Sequence, residues 1–145
     1  MSFSETISPL FGRLMLTWFY VNQAFYYGHN WDATILEMHD KGIPVAPLLL
    51  ALSLILIILG AISLALGFHT RHGALVLFTV TLVSTLLLHN FWRGSNAGIY
   101  TDDAQIFARN IAISGGLLFL VGMGSGPLGF DNKAGGGKGG GGKKR

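Results

Sequence analysis

The sequence predicts an all-α fold, a four-helix transmembrane bundle with both termini on the same side of the membrane. Half of the residues are hydrophobic and only 12% are charged, whereas soluble domains carry about 25% charged residues. The mean hydropathy of +0.51 and the long uncharged runs indicate that lipid is the solvent. The predicted spans cover about residues 8–28, 45–67, 73–91 and 105–123.

The first predicted span, residues 8–28, is long enough to cross a membrane but unusually polar. Its 21 residues form a helix of roughly 31 Å, which matches the hydrocarbon core. Its polar side chains are costly to expose to lipid, so one side of this helix is expected to line the bundle interior; they are Arg13, Thr17, Asn22 and Gln23. Arg13 lies near the end of the span, and we expect its guanidinium to reach the membrane surface.

The loop after the first span and the next two spans contain residue patterns that predict how these segments pack. In residues 29–44, Ile35, Leu36 and Met38 predict a short amphipathic piece at the membrane surface. The second span has no charged residue, and its glycine, alanine and serine residues offer surfaces for close helix contact. The threonine hydroxyls of the third span can bond back to their own helix or across to a neighbouring helix.

The fourth span carries a stripe of small side chains. Ala108, Ala112 and Gly116 recur every four residues, so they lie on one face of the helix. Small residues let helix backbones approach closely in a membrane. We therefore predict that this stripe mediates helix packing.

The charges divide the chain into a membrane domain, residues 1–130, and a Gly- and Lys-rich tail, residues 131–145. Five basic residues against Asp131 give the tail a charge of +4, so residues 1–130 carry −1 of the net +3. The tail is predicted to be disordered, and its charge predicts cytoplasmic termini. The domain offers no nucleic-acid surface, and the lipid bilayer is its expected partner.

The composition also excludes several kinds of chemistry. The chain has no cysteine, which excludes disulfides, thiolate catalysis and cysteine-ligated metal clusters. The histidines and carboxylates form no pattern that predicts a metal site, and no catalytic residue is assigned.

Polar side chains collect at one end of the predicted bundle, which we call the rim. Two consecutive spans meet there, the third through HNFWR (residues 89–93) and the fourth through its opening Arg-Asn pair. Such groups need partners or a ligand in a membrane protein. The candidate ligand-binding residues are Asn22, Gln23, His29, His89, Trp92, Arg93, Arg109 and Asn110.

Three interpretations of the rim are compatible with these residue types. Imidazole and guanidinium groups donate hydrogen bonds and aromatic rings stack, so the rim could hold a quinone carbonyl or a lipid head group. Alternatively, the same groups pair with Asp102, Asp103 and loop carbonyls and merely fix the loop. Ligation of haem by His29 and His89 is less favoured, because His29 lies beside a loop.

Three places in the chain carry motifs of a known family: GHNW (residues 28–31), HNFW (residues 89–92), and FARNIAISGG (residues 107–116) through GPLGFD (residues 126–131). They resemble the DoxX family of small four-span bacterial membrane proteins. The first is similar to the end of that family's first span, the second to the end of its third, and the last to its Lys-Asn-x-x-x-x-Gly-Gly segment and its Gly-rich, Asp-ending tail.

The resemblance implies an integral protein of the bacterial inner membrane. Family members are linked to quinone-coupled oxidoreductases and redox-stress complexes, often as partner subunits, so other membrane protein subunits are expected partners. The expected function is to support a quinone-linked or redox-stress process, as an oxidoreductase-associated subunit more than as a stand-alone enzyme. The alternative is a structural or assembly subunit of a larger membrane complex. A small ion-coupled carrier is disfavoured, since no unpaired acid lies mid-membrane.

Overall fold

The computed structural model describes residues 2–89 and 102–131, except the side chain of Asp103. This part of the chain is all-helical, as predicted, and contains no strand. Its five helices are α1 (Phe3–His29), α2 (Trp31–Asp40), α3 (Ala46–Leu66), α4 (Thr70–Leu88) and α5 (Asp102–Met123).

Three of the helices, α3, α4 and α5 from Ala104 to Met123, are long and apolar enough to cross a membrane. The longer but more polar α1 is not among them. It nevertheless packs along α3, and its outward face exposes Met15, Trp18 and Phe25. An exposed apolar face of this kind supports a fourth span, which remains a prediction together with the side of the membrane on which the termini lie.

Helix α1 begins with a capping box. The Ser2 side chain accepts a hydrogen bond from the Glu5 backbone N–H, and the Glu5 carboxylate accepts one from the Ser2 N–H at 3.1 Å. This exchange satisfies two backbone donors that have no partner within the helix. The helix therefore starts at Phe3, five residues before the predicted span.

The predicted amphipathic piece is the helix α2. Its Met38 is buried in a cluster with Ile43, Leu50 and Leu88, whereas Leu36 on its other face is exposed. The Lys41 ammonium just after α2 donates a hydrogen bond to the Leu88 carbonyl. This bond satisfies a carbonyl at the end of α4 that has no partner within the helix, and it ties the loop to the rim.

Helices α3 and α4 form a tight antiparallel pair. A Cβ at Gly60 would lie 2.5 Å from Cγ of Leu77, so only glycine permits this approach. Gly67 ends α3 with a φ of +67°, a conformation that glycine adopts without steric cost. The small surfaces predicted for the second span are thus used within the chain.

The core draws on all four long helices. Tyr20 of α1, Leu64 of α3, Leu77 of α4 and Leu117 of α5 are fully buried in one cluster. Helix α3 packs against α1 and α4, and α4 packs against α5. Two ends of this assembly can be distinguished: the rim, where α1 and α4 end and α5 begins, and the turn end, where α3 passes into α4.

The stripe on α5 does not lie in these contacts. Ala108 and Ala112 are exposed, and the nearest atom to a Cβ at Gly116 would be Cδ1 of Leu16, at 4.0 Å. Ala108 and Ala112 therefore face away from the core, whereas Gly116 is half-buried. The role of the stripe in contact with another chain remains a prediction.

Arg13 is only 1% exposed, so the expectation that its guanidinium reaches the membrane surface was wrong. Its Nη1 donates a hydrogen bond to the Leu64 carbonyl at 3.0 Å, and Nη2 donates to the Leu128 carbonyl at 3.4 Å. The segment after α5 folds back over the turn end and covers the arginine. A buried guanidinium needs such partners, and these carbonyls provide them.

Asp131, which the sequence groups with the tail, is hydrogen-bonded to the turn end. Its carboxylate accepts hydrogen bonds from the backbone N–H groups of His69 and Thr70 at 2.7 and 2.9 Å. Burial is the largest single influence and would raise the pKa of this carboxyl. The two N–H donors, together with the side chains of Thr70 and His69, outweigh it and lower the pKa below its ordinary value. The carboxylate therefore caps α4.

Candidate functional site

Two buried hydrogen bonds connect three helices below the rim. The Tyr20 hydroxyl lies 2.5 Å from Oγ1 of Thr81, and Nδ2 of Asn110 donates to Oγ1 of Thr85 at 2.9 Å. Thr81 and Thr85 are one turn apart on α4, so the pairs form a polar ladder from α1 across α4 to α5. Both arrangements predicted for these hydroxyls occur, since Thr81 and Thr85 bond across to neighbouring helices and Thr79 bonds back to its own helix.

Asn110 lies at the centre of the predicted site and is incompletely satisfied. Its side chain is buried, yet Oδ1 has no hydrogen-bond partner among the described residues. It borders a small cavity of about 30 Å³ that is also lined by Gln23, Tyr27 and His89. An unpaired buried acceptor costs about 1–3 kcal/mol, so this oxygen calls for a donor from outside the described chain.

A larger cavity of about 300 Å³ adjoins the small one, because Gln23, Tyr27 and His89 line both. It lies between α1, α2, α4 and α5 at the rim. Its polar lining mixes donors and acceptors. The lining residues are Gln23, Tyr26, Tyr27, Thr34, Glu37, Leu88, His89, Ile106 and Arg109.

Arg109 supplies the positive charge of this cavity. It is exposed, and its guanidinium carbon lies 5.3 Å from the centre of the Phe19 ring. This cation–π contact orients the side chain along α1 and uses no N–H donor. His89 is half-buried at the end of α4, where its backbone N–H donates to the Thr85 carbonyl at 3.0 Å.

The structure brings together four of the eight predicted rim residues: Gln23, His89, Arg109 and Asn110. Asn22 is exposed and donates to the Trp18 carbonyl of its own helix at 2.8 Å. Trp92 and Arg93 lie outside the described residues.

His29 lies apart from the other rim residues. It lines a groove of about 670 Å³ between α1 and α3, so it does not share a cavity with His89. Among the described residues, no group of three or more histidines and carboxylates could hold a metal ion.

Four participants in the site were not predicted: Tyr20, Tyr27, Thr34 and Glu37. Tyr20 and Tyr27 carry a usable signal, since they are seven residues apart on α1 and so share a face with Gln23. Thr34 and Glu37 reach the cavity only because α2 packs beneath the rim, which no local pattern reveals.

Comparison with known proteins assigns the family. The DoxX family model matches residues 8–90. The inner membrane protein YphA of Escherichia coli (strain K12) is 26% identical over 104 residues, covering 72% of this chain and 74% of that protein. The inner membrane protein YqjF of the same strain is 28% identical over 128 residues, covering 88% of this chain and 92% of that protein.

A eukaryotic relative matches a shorter stretch. The ER-derived vesicles protein ERV29 of Saccharomyces cerevisiae is 30% identical over 82 residues, which is 56% of this chain but only 26% of that protein. No solved structure shows significant similarity to the chain. The family match over more than half of the sequence, the two inner membrane relatives and the apolar helices agree, and the chain belongs to the DoxX family of membrane proteins.

Proposed function

We propose that this DoxX-family protein binds the ring of a quinone-type compound at the rim and supports a quinone-linked or redox-stress process as an inner-membrane subunit. The observation that carries the proposal is the unpaired Oδ1 of Asn110. Asn110 lines the small cavity, which shares Gln23 and His89 with the larger cavity that Arg109 lines. The reduced and oxidised forms of such a ring make different hydrogen bonds at this site.

A hydroquinone matches the unpaired acceptor better than a quinone does. The Asn110 oxygen can only accept, so it needs a ligand with an O–H group, which the reduced ring has and the oxidised ring lacks. The carbonyl of the oxidised ring would instead accept from the Arg109 guanidinium or the Gln23 amide. The site is therefore expected to prefer the reduced form.

The size of the cavity supports a ring and not a whole lipid molecule. Its 300 Å³ lies at the lower end of the range of about 300–1,000 Å³ that is typical of ligand sites. An isoprenoid tail would leave the cavity and remain in the bilayer. The half-buried Tyr27 ring on one wall offers a surface for stacking.

Binding can be tested on the purified protein in mild detergent. Calorimetric titration with a short-chain hydroquinone and its quinone should show several-fold tighter binding of the reduced form, because one net hydrogen bond contributes about 0.5–1.5 kcal/mol. Arg109→Gln should weaken binding of both forms about tenfold. Asn110→Leu, which removes the acceptor at similar volume, should abolish the preference for the reduced form.

Arg71→Gln is the matched control, because it removes an exposed arginine at the turn end. It should bind both forms as the wild type does. A reduced-minus-oxidised ultraviolet spectrum of the mildly solubilised protein would in addition detect a quinone that co-purifies. If neither form binds at millimolar concentration, or if Arg109→Gln binds as well as the wild type, the proposal is wrong.

The alternative function, a structural or assembly subunit, is favoured by one separate observation. Ala108 and Ala112 are exposed on α5, and small exposed side chains permit close contact with a helix of another protein. Ala112→Leu should then release a co-purifying partner. The control Leu118→Phe enlarges an exposed side chain about 120° away around the helix and should retain it.

A further inference from the structure

A second polar cavity, of about 510 Å³, lies at the turn end. It is separate from the rim and plays no part in the function proposed above. Three nitrogen-bearing side chains line it, those of His69, Arg71 and His72, and the backbone from Gly124 to Pro127 forms the opposite wall.

Arg71 lines this cavity and has no ionic partner in the part of the chain that the structure describes. Among the described side chains, no carboxylate lies within 4.0 Å of its guanidinium. A Cβ at Gly124 would lie 3.3 Å from Nε of Arg71, so the arginine rests against the glycine backbone. Gly124 has a φ of +81°, which disfavours other residues there, and the absence of a side chain keeps the space beside Arg71 open.

Among the described residues of the cavity wall, the only carboxylate is that of Asp131, and it is already engaged. One oxygen accepts from the His69 N–H and the other from the Thr70 N–H. Its charge also faces the N-terminus of α4, whose dipole favours an anion, and interacts with buried Arg13. The positive charge of Arg71 is thus left in excess within the described part of the turn end.

The cavity lies at the expected level of the membrane surface. Candidate span α3 ends at Leu66, α4 begins at Thr70 and α5 ends at Met123, so three spans terminate around it. The flanking side chains are large and apolar: Phe68 is 52% exposed, Phe130 54% and Met123 78%. A cationic cavity bordered by exposed apolar groups matches a ligand with an anionic head and an apolar body.

We propose that this cavity binds a phosphate group, with Arg71 as the principal donor and His69 and His72 as flanking donors. A guanidinium offers a planar fork of N–H groups that suits phosphate oxygens. The phosphate could belong to a phospholipid head group, whose acyl chains would cover Phe68, Phe130 and Met123, or to free phosphate. The two sources share the same contacts in the cavity and differ only in the apolar part.

Native mass spectrometry of the full chain in detergent tests the proposal. Phosphatidic acid, diacylglycerol with identical acyl chains and inorganic phosphate are offered separately, in about 1 M salt during incubation, where the Debye length is about 3 Å. At that ionic strength the attraction of the five basic residues near the C-terminus to anionic lipid is largely screened. We expect phosphatidic acid to bind and diacylglycerol not to bind.

Substitutions then locate the phosphate group. Arg71→Gln should reduce the bound fraction of phosphatidic acid at least tenfold, and Arg71→Lys, which keeps the charge but loses the fork, should reduce it less. Arg109→Gln removes the same charge at the rim and should have no effect. Unchanged hydroquinone binding by Arg71→Gln shows that this variant is folded. If the wild-type rim binds no hydroquinone, an unchanged elution volume of the variant in gel filtration shows the same.

Each outcome decides the proposal. Loss of phosphatidic acid binding in Arg71→Gln supports a phospholipid as the ligand. If inorganic phosphate at a similar concentration displaces the lipid, the same contacts hold a phosphate group and free phosphate is the ligand. Equal binding of diacylglycerol and phosphatidic acid, or equal binding by Arg71→Gln and the wild type, overturns the proposal.

Discussion

Arg13 at the turn end and Arg109 at the rim have the same charge but differ in burial and in their contacts. Arg13 is buried and its guanidinium donates to the carbonyls of Leu64 and Leu128. Arg109 is exposed, its guanidinium lies over the face of the Phe19 ring, and it lines the rim cavity. Burial with partners makes an arginine part of the fold, and exposure beside a cavity leaves it available for a ligand.

The neighbouring polar groups differ in the same way. Both carboxylate oxygens of Asp131 are hydrogen-bonded within the chain, whereas Oδ1 of Asn110 has no partner among the described residues. An oxygen left unpaired in the interior costs stability. A ligand at the rim would recover that cost, and this is the physical reason to look for one there.

The largest expected effect comes from replacing the two arginines by methionine. Arg13→Met loses two charge-assisted hydrogen bonds and leaves two carbonyls without those donors, so we expect the free energy of unfolding to fall by about 2–4 kcal/mol. Arg109→Met changes an exposed side chain and should lie within about 0.5 kcal/mol of the wild type. Thermal or dodecyl sulfate unfolding in mild detergent measures both. If the free energy of unfolding falls equally in both variants, the two arginines contribute alike to stability and the contrast between the two ends is wrong.

A smaller effect is expected from Asp131→Asn, which weakens the cap on α4. Loss of such a cap costs about 1 kcal/mol. Because the pKa of Asp131 is lowered on folding, the advantage of the wild type should be fully present above the ordinary value of 3.8. It should disappear as the pH falls through the lowered pKa, where the wild-type carboxyl becomes protonated.

Unfolding of both proteins across the acid range measures that dependence. The stability difference between wild type and Asp131→Asn should shrink as the solution becomes more acidic. A difference that stays constant with pH would mean that the Asp131 charge does not stabilise the turn end.

The sequence was sufficient to predict the helices but not the surroundings of their polar residues. Hydropathy located the apolar segments because lipid imposes their length and composition. The polarity of the first span predicted an interior face, but the partners of Arg13 had no signal. One of its acceptors is a backbone carbonyl 115 residues away, and carbonyls are common to every residue. Only the fold-back of the segment after α5 creates that partner.

Within the rim, the position of a residue along its helix is easier to predict from the sequence than its direction around the helix. Asn22 and Gln23 lie at the same level, but consecutive helical residues point about 100° apart, so only one of them can face the cavity. Gln23 lines it, while Asn22 bonds to its own helix. A count of residues around α1 separates the two, whereas the contribution of α2 to the cavity depends on tertiary packing alone.

The smallest effect tests the polar ladder that connects the core with the rim. Tyr20→Phe removes the hydroxyl that pairs with Thr81 at 2.5 Å and keeps the ring in the core. Hydrogen bonds between membrane helices contribute about 0.6 kcal/mol on average, so we expect a loss of about that size. Such a loss is small beside that of Arg13→Met, because the Thr81 hydroxyl can turn back to its own helix.

Thr79→Val is the matched control, since the Thr79 hydroxyl already bonds to the Leu75 carbonyl of its own helix and makes no bond across helices. It should leave the free energy of unfolding unchanged, and so should Tyr20→Phe if the ladder only fills space. A loss in Tyr20→Phe that is accompanied by weaker hydroquinone binding would show that the ladder positions Asn110, because Thr81 and Thr85 lie one turn apart on α4. A loss without any change in binding would confine the ladder to stability and leave the rim cavity independent of the core.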